Sequence, residues 1–251
     1  MALTSSNMKN FSSDEHWNSI NKDFHFSKPA RKNPIATLIH SYFKLDRTKS
    51  VFEIGCFPGT YLSIFGDLGY ELNGIDISPR TTSDMQEWLK KNDYTCGELV
   101  SDNIFTYATD KKFDVVCSFG FIEHFDNFNA IVLKHTDFLK PHGKIVITTP
   151  NFKSKFQHAF HSFFDKENLS KHNVDSMDPR LWAKTLEKAG FKTLYCGWFG
   201  KTELWAEKEK RSTMMTVLLK SIFQIVKVVR MIPLPNSYFY SPYCGVIAEK
   251  I

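Results

Sequence analysis

The run Val51-Phe52-Glu53-Ile54-Gly55-Cys56-Phe57-Pro58-Gly59-Thr60 places an acid and two glycines where an apolar stretch ends. Such a junction cradles a nucleotide-like cofactor. Gly55 lets the backbone turn sharply, and Gly59 lets a following helix approach strand or ligand where a Cβ would intrude. Pro58 suits a first helical turn, where no amide donor is needed. A second apolar run, Leu72-Asn73-Gly74-Ile75-Asp76-Ile77-Ser78, ends in another acid, and a carboxylate at that place accepts both hydroxyls of a ribose.

Nicotinamide dinucleotides and S-adenosylmethionine are both held by this layout, and the loop distinguishes them. A dinucleotide fingerprint, G-x-G-x-x-G, brings backbone amides against a pyrophosphate, whereas this loop reads Gly55-x-x-x-Gly59 with bulky Phe57 in place of the middle glycine. A cofactor without phosphate tolerates that. A sulfonium donor carries an already activated methyl group, so a protein using it must mainly align the acceptor and exclude water. For a hydroxyl acceptor, His124 is the best-placed general base, since imidazole titrates near neutrality. Its alternative is a helix-terminal histidine bonded to backbone. Glu123 is then structural, or orients His124.

These residues resemble the class I S-adenosylmethionine-dependent methyltransferases, and the resemblance extends over residues 35 to 195. Phe113-Asp114-Val115-Val116-Cys117-Ser118 is similar to the family's fourth strand, and Phe119-Gly120-Phe121-Ile122-Glu123-His124-Phe125 to the segment after it. Leu139-Lys140-Pro141-His142-Gly143-Lys144 resembles the turn before the fifth strand, Ile145 to Asn151. The resemblance implies cofactor contacts from Glu53, Gly55, Cys56, Phe57, Gly59, Asp76, Ile77, Asp102, Asn103, Ile104, Ser118 and Phe119. The first loop would hold the methionine part, Asp76 the ribose, and Asp102 would lie by the adenine.

The stretch after the fifth strand, the Asp178-Pro179 helix and a late apolar insert most resemble bacterial enzymes that methylate sugars of surface polysaccharides. O-methylation of a sugar hydroxyl is therefore expected. The alternative is a methyltransferase of a small molecule, lipid or quinone precursor. A reading of another class is a non-catalytic cofactor-binding scaffold whose loop Phe57 blocks. Relatives that methylate quinone precursors carry E-x-x-E-H after strand four and bind a divalent metal there. Gly120 stands at the first acid, so no metal is expected. His158-x-x-His161 with Asp165 and His172 matches no specific ligand signature, which leaves His161 and His172 as secondary catalytic candidates.

The elements that must position these residues alternate: strand 51–55, helix 60–68, strand 71–76, helix 81–91, strands 95–99 and 113–118, helix 127–139 and strand 144–149. That alternation predicts a parallel sheet covered on both faces. Asp178 and Pro179 read as N-cap and first residue of a helix ended by Gly190, followed by strands over 191–198 and 243–248. The expected fold is α/β, a doubly wound, Rossmann-like, mostly parallel seven-stranded sheet with an antiparallel edge strand, an N-terminal helical lid and a helical insert before the last strand. Residues 1–13 read as a loose tail, 14–45 as lid helices and 46–251 as the methyltransferase domain, with acceptor-side insertions at 151–177 and 200–237. Arg31 either meets the methionine carboxylate or is simply solvated.

The 251 residues, 42% hydrophobic and 24% charged, suffice for one substantial core. Aromatics at 15%, with 23 Phe, serve core filling or the flat walls of a closed site. The net charge of +5 is scattered, and the clusters Lys28 to Lys32 and Lys208 to Arg211 accompany no RNA-binding motif, so no nucleic-acid partner is expected. Five cysteines without C-x-x-C give neither disulfide framework nor zinc pattern, and the first residues lack a signal-peptide pattern, which together suggest a cytoplasmic protein. Met214 to Ile232 has the length of a membrane span, but Lys220, Lys227 and Arg230 interrupt it. Thr216, Lys220, Gln224 and Lys227 form one narrow polar stripe, so this helix lies on something: its own substrate cap, a homodimer interface, or the inner face of a membrane.

Overall fold

The computed structural model describes residues 10–11, 24–207 and 211–251. Seven strands form one sheet in the order β3-β2-β1-β4-β5-β7-β6. They are β1 (Ser50–Ile54), β2 (Glu71–Asp76), β3 (Cys96–Ser101), β4 (Phe113–Phe119), β5 (Leu139–Pro150), β6 (Phe191–Phe199) and β7 (Tyr243–Lys250). β7 runs antiparallel to both neighbours, between β5 and the edge strand β6, and the other pairings are parallel.

Both faces are covered, which is why the strands read as continuous apolar runs. Successive residues point to opposite sides. Val51 belongs with Ile39, Phe65 and Leu72 in one core. Phe52 belongs with Val116, Ile145 and Trp182 in the other. The helices are α1 (Pro34–Tyr42), α2 (Leu62–Asp67), α3 (Asp84–Lys91), α4 (Phe128–Lys134), α5 (Lys155–Phe164), α6 (Lys166–Ser170), α7 (Pro179–Lys188) and α8 (Thr213–Val229). α7 starts and stops as its sequence predicts: the Asp178 carboxylate accepts from Arg180 N, Pro179 is the first residue, and Gly190 follows at φ +87°.

Four expectations change. The helix expected over 60–68 begins only at Leu62, and Pro58 sits in the preceding loop after a cis peptide. The helix expected to reach 139 stops at Lys134 and continues as a 3-10 turn, His135–Phe138. There the His135 side chain folds inward, donating from Nδ1 to the Ile131 carbonyl. The lid helix α1 is capped by Asn33 and buries Ile35, Ala36, Leu38 and Ile39 in the first core, so it is packed into the sheet domain. Of the expected tail, Asn10 and Phe11 are not loose: Asn10 bridges Phe125, and Phe11 N–H donates to the His124 carbonyl at 2.8 Å. The rest of the tail and the lid residues up to 23 lie outside the described residues.

β1 pairs with β2 on one side and β4 on the other, so the chain order reverses at β1. The loops leaving β1 and β4 diverge there, and a crevice opens at their carboxyl ends. The insert after β6 leaves and rejoins the sheet at this same edge, through Phe199 and Tyr243, which are register partners. Among the described residues, no helix is long and apolar enough to cross a membrane.

Candidate functional site

A cavity of about 390 Å³ fills the crevice. Its walls include Glu53, Gly55, Cys56, Phe57 and Gly59 from the first loop, Asp76 and Ile77 from the end of β2, Asp102, Asn103 and Ile104 after β3, and Phe119 and His124 after β4. Segments far apart in the chain thus converge on one hollow.

Backbone hydrogen bonds set the first loop. Gly55 and Cys56 N–H both donate to the Ile75 carbonyl, at 2.9 and 3.1 Å, tying the bend to β2. Gly55 has φ +74°, and a Cβ there would lie 2.7 Å from the Phe121 ring, so both conformation and space demand glycine. Phe57 does not plug the hollow. Its ring turns into an aromatic cluster, edge-on to Phe24 at 6.2 Å and to Phe26 at 5.7 Å, with the Arg80 guanidinium above it at 5.6 Å. The steric premise of a blocked scaffold is thereby removed.

Two acids face the cavity differently. Burial pushes the Glu53 carboxyl well above the usual carboxylate range, the nearby Asp76 charge adds to this, and Oε2 is buried without a hydrogen-bond partner. That orphaned oxygen suits a cationic ammonium group. Asp76 accepts from Phe57 N at 3.1 Å and Ser78 N at 2.8 Å, yet burial still raises its carboxyl to about 6. Asp102 is held beside it, its N–H donating to the Asp76 carbonyl at 3.0 Å.

His124 closes a 3-10 turn after β4 and is 5% exposed. Nδ1 lies 3.0 Å from the Lys171 carbonyl and must donate to it, which makes Nε2 the basic nitrogen of the neutral ring. Glu123, His124 and His172 each offer one ligand-type atom, all within 4.8 Å of one another. Burial raises the Glu123 carboxyl to about 8 and lowers His172 to about 4, so acid and imidazole are both neutral at pH 7.

Ser118 is the exception among the expected contacts. It lies off the cavity wall, fully buried, and its hydroxyl donates to Nε2 of His135 at 2.9 Å. The strand alternates faces, so Phe119 reaches the cavity and Ser118 the opposite core. His161 is also outside the cavity lining, donating from Nδ1 to Asp165 at 2.9 Å, while His158 is bonded to Ser162. Arg31 is exposed and away from the lining. The sequence reading missed Asn10, Phe24, Phe105, Phe121 and Phe125 on the wall. Of these, Phe121 and Phe125 were within reach, because they flank Glu123 and His124.

The strand order, with its reversal at β1, and the acid-ended loops around that point define a class I methyltransferase. A family model described as a methyltransferase domain matches residues 28–195, and the chain belongs to that family. This is the class that takes its methyl group from S-adenosylmethionine. Among curated proteins, the chain is 27% identical over 140 residues to a ubiquinone biosynthesis O-methyltransferase of Rickettsia felis, covering 54% of this chain and 57% of that protein. One from Thiobacillus denitrificans is 29% identical over 111 residues, covering 43% and 47%. The chain thus matches only about half the length of these relatives. A solved SAM-dependent methyltransferase from Archaeoglobus fulgidus shares the fold with a TM-score of 0.54 and 21% identity, covering 86% of this chain and 93% of that one.

Proposed function

We propose that the protein O-methylates a phenolic hydroxyl of a small, flat, largely apolar acceptor of the quinone-precursor kind. The observation that carries this reading is the position of His124 between Phe121 and Phe125 on the cavity wall, with Phe105 packed edge-on to Phe125 at 5.5 Å. Aromatic walls favour a planar ring. A sugar, with a hydroxyl on most carbons, would need several polar partners, and among the described residues the wall beside Phe105, Phe121 and Phe125 offers chiefly Asn10 and Asn103; the relatives' names give the sugar reading no support.

S-adenosylmethionine supplies a methyl group on a sulfonium, ready for displacement without further activation. Glu53, Gly55 and Gly59 would hold its methionine part, the orphaned Glu53 oxygen answering the ammonium. Asp76 would accept the ribose hydroxyls, and Asp102 to Ile104 would line the adenine. His124 Nε2 would take the proton of the acceptor hydroxyl, with the Lys171 carbonyl holding Nδ1 as the donor and so keeping Nε2 the basic nitrogen. Phe121 and Phe125 keep water from the reacting oxygen.

The test is product mass after incubation with methyl-deuterated S-adenosylmethionine and two panels, catechol-type benzoates with and without a prenyl tail, and sugars or nucleotide sugars. Label on the phenols supports the reading. Label confined to sugars overturns it.

A further inference from the structure

We propose that the outer face of α8 is a docking surface for an anionic phospholipid bilayer. The helix is apolar on two opposite sides. Its inner side buries Leu219 and Val226 and sets the Phe223 ring 6.1 Å from Phe160 of α5. On the outer side Met214, Val217, Leu218, Ile225 and Val228 are exposed, Met214 by 80% and Val228 by 64%. At about 100° per residue these five fall within a single arc of roughly 100°, opposite Leu219 and Val226.

The apolar surface continues past the helix. Met231, Ile232 and Leu234 are exposed after its end, and on α5, which meets α8 through Phe160, Phe156 and Phe163 are exposed by 38% and 64%. A protein that meets only water does not gather so many large apolar side chains on one surface.

Charge identifies the occupant. From Arg211 to Ala248 the chain carries Arg211, Lys220, Lys227 and Arg230 and not one Asp or Glu. Arg230 is engaged by Glu203 at 3.1 Å. Lys220 and Lys227 are exposed two turns apart along one margin of the apolar arc, where long stems let ammonium groups reach lipid phosphates while the arc sinks between them. A second copy fits less well. An antiparallel twofold pairing of this face sets the same lysine margins together, with no acid between Arg211 and Ala248 to answer them.

The insert that carries α8 departs from the carboxyl end of β6, the edge on which the cofactor cavity opens. The docking helix is thus tethered at the end of the sheet where the cavity lies. This surface stands independently of the acceptor assigned above.

The test is co-sedimentation of the whole protein with phosphatidylcholine vesicles and with vesicles containing phosphatidylglycerol, at low and high salt. Binding should require phosphatidylglycerol and weaken with salt. The Val217→Glu/Ile225→Glu double variant should lower affinity roughly tenfold or more, as should Lys220→Glu/Lys227→Glu. Both should keep their calorimetric affinity for S-adenosylmethionine, which shows that they fold and separates this outcome from failure of the methyltransferase reading. Absence of vesicle binding overturns the proposal. So does a wild-type dimer in analytical ultracentrifugation that the Val217→Glu/Ile225→Glu variant abolishes, since a second copy would then cover the face.

Discussion

The backbone N–H of Phe57 donates to the Asp76 carboxylate at 3.1 Å, so the acid that ends β2 also fastens the loop that follows β1. One side chain both fixes the loop and lies on the cavity wall. Asp76→Ala should weaken S-adenosylmethionine binding roughly 100-fold by calorimetry, because hydrogen bonds to a charged acceptor are worth about 1.5–3 kcal/mol each. An unchanged affinity would remove Asp76 from the cofactor site.

Burial holds the Asp76 carboxyl at about 6, above its ordinary 3.8. The raised value means that the folded protein binds the proton more tightly than the unfolded chain. Stability from this group is therefore full below pH 4 and is lost as pH rises towards 6, by at most about 3 kcal/mol. Ribose hydroxyls prefer the ionised form, so cofactor affinity should rise through the same window. Asp76→Asn should flatten both profiles, measured by denaturant melts and calorimetry between pH 4 and 8.

Removing the base should spare binding. His124→Gln is expected to lower kcat by about 10²–10⁴ while leaving the dissociation constant for S-adenosylmethionine within about twofold. Full turnover of the variant on the true acceptor would relegate His124 to a backbone-bonded structural role.

The cluster of Glu123, His124 and His172 should work without an ion. Gly120 replaces the first acid of the metal-binding motif, and Glu123, held near 8, is protonated at pH 7, so the cluster lacks a charged carboxylate, although its neutral His172 is in the form that ligates metals. Extensive dialysis against a chelator should leave turnover within about twofold, whereas a loss restored by magnesium or zinc would show that the three side chains hold a metal.

Ser118→Ala should separate fold from site. It strips the buried Nε2 of His135 of its hydrogen bond and should cost about 1–3 kcal/mol of stability, with no change in cofactor affinity. A weakened affinity without loss of stability would return Ser118 to the cofactor.

The strand pattern, Asp76 and the position of His124 were legible because each lies at the end of an apolar run, where the chain must turn and polar groups collect. Ser118 was not. β4 is buried on both sides, so its sequence lacks the alternation that would tell which face a residue takes. The partnership of His124 with Lys171 and His172 was also invisible, since a loop returning from α6 makes it and no local spacing encodes that return. The end of α4 was missed because His135, an ordinary helical residue by propensity, is captured by Ser118 across the core.

Phe199 and Tyr243 sit opposite each other in the β6–β7 pair, their rings stacked at 5.8 Å. The chain between Gly200 and Pro242 leaves and returns at that pair, and its described residues are sewn to the rest of the domain: Gln157 Nε2 donates to the Glu203 carbonyl at 2.8 Å, and Asn151 Nδ2 to the Tyr238 and Ser241 carbonyls at 2.9 Å each. A foreign segment spliced in there would have to answer those same donors before it could give the sheet domain a new clientele.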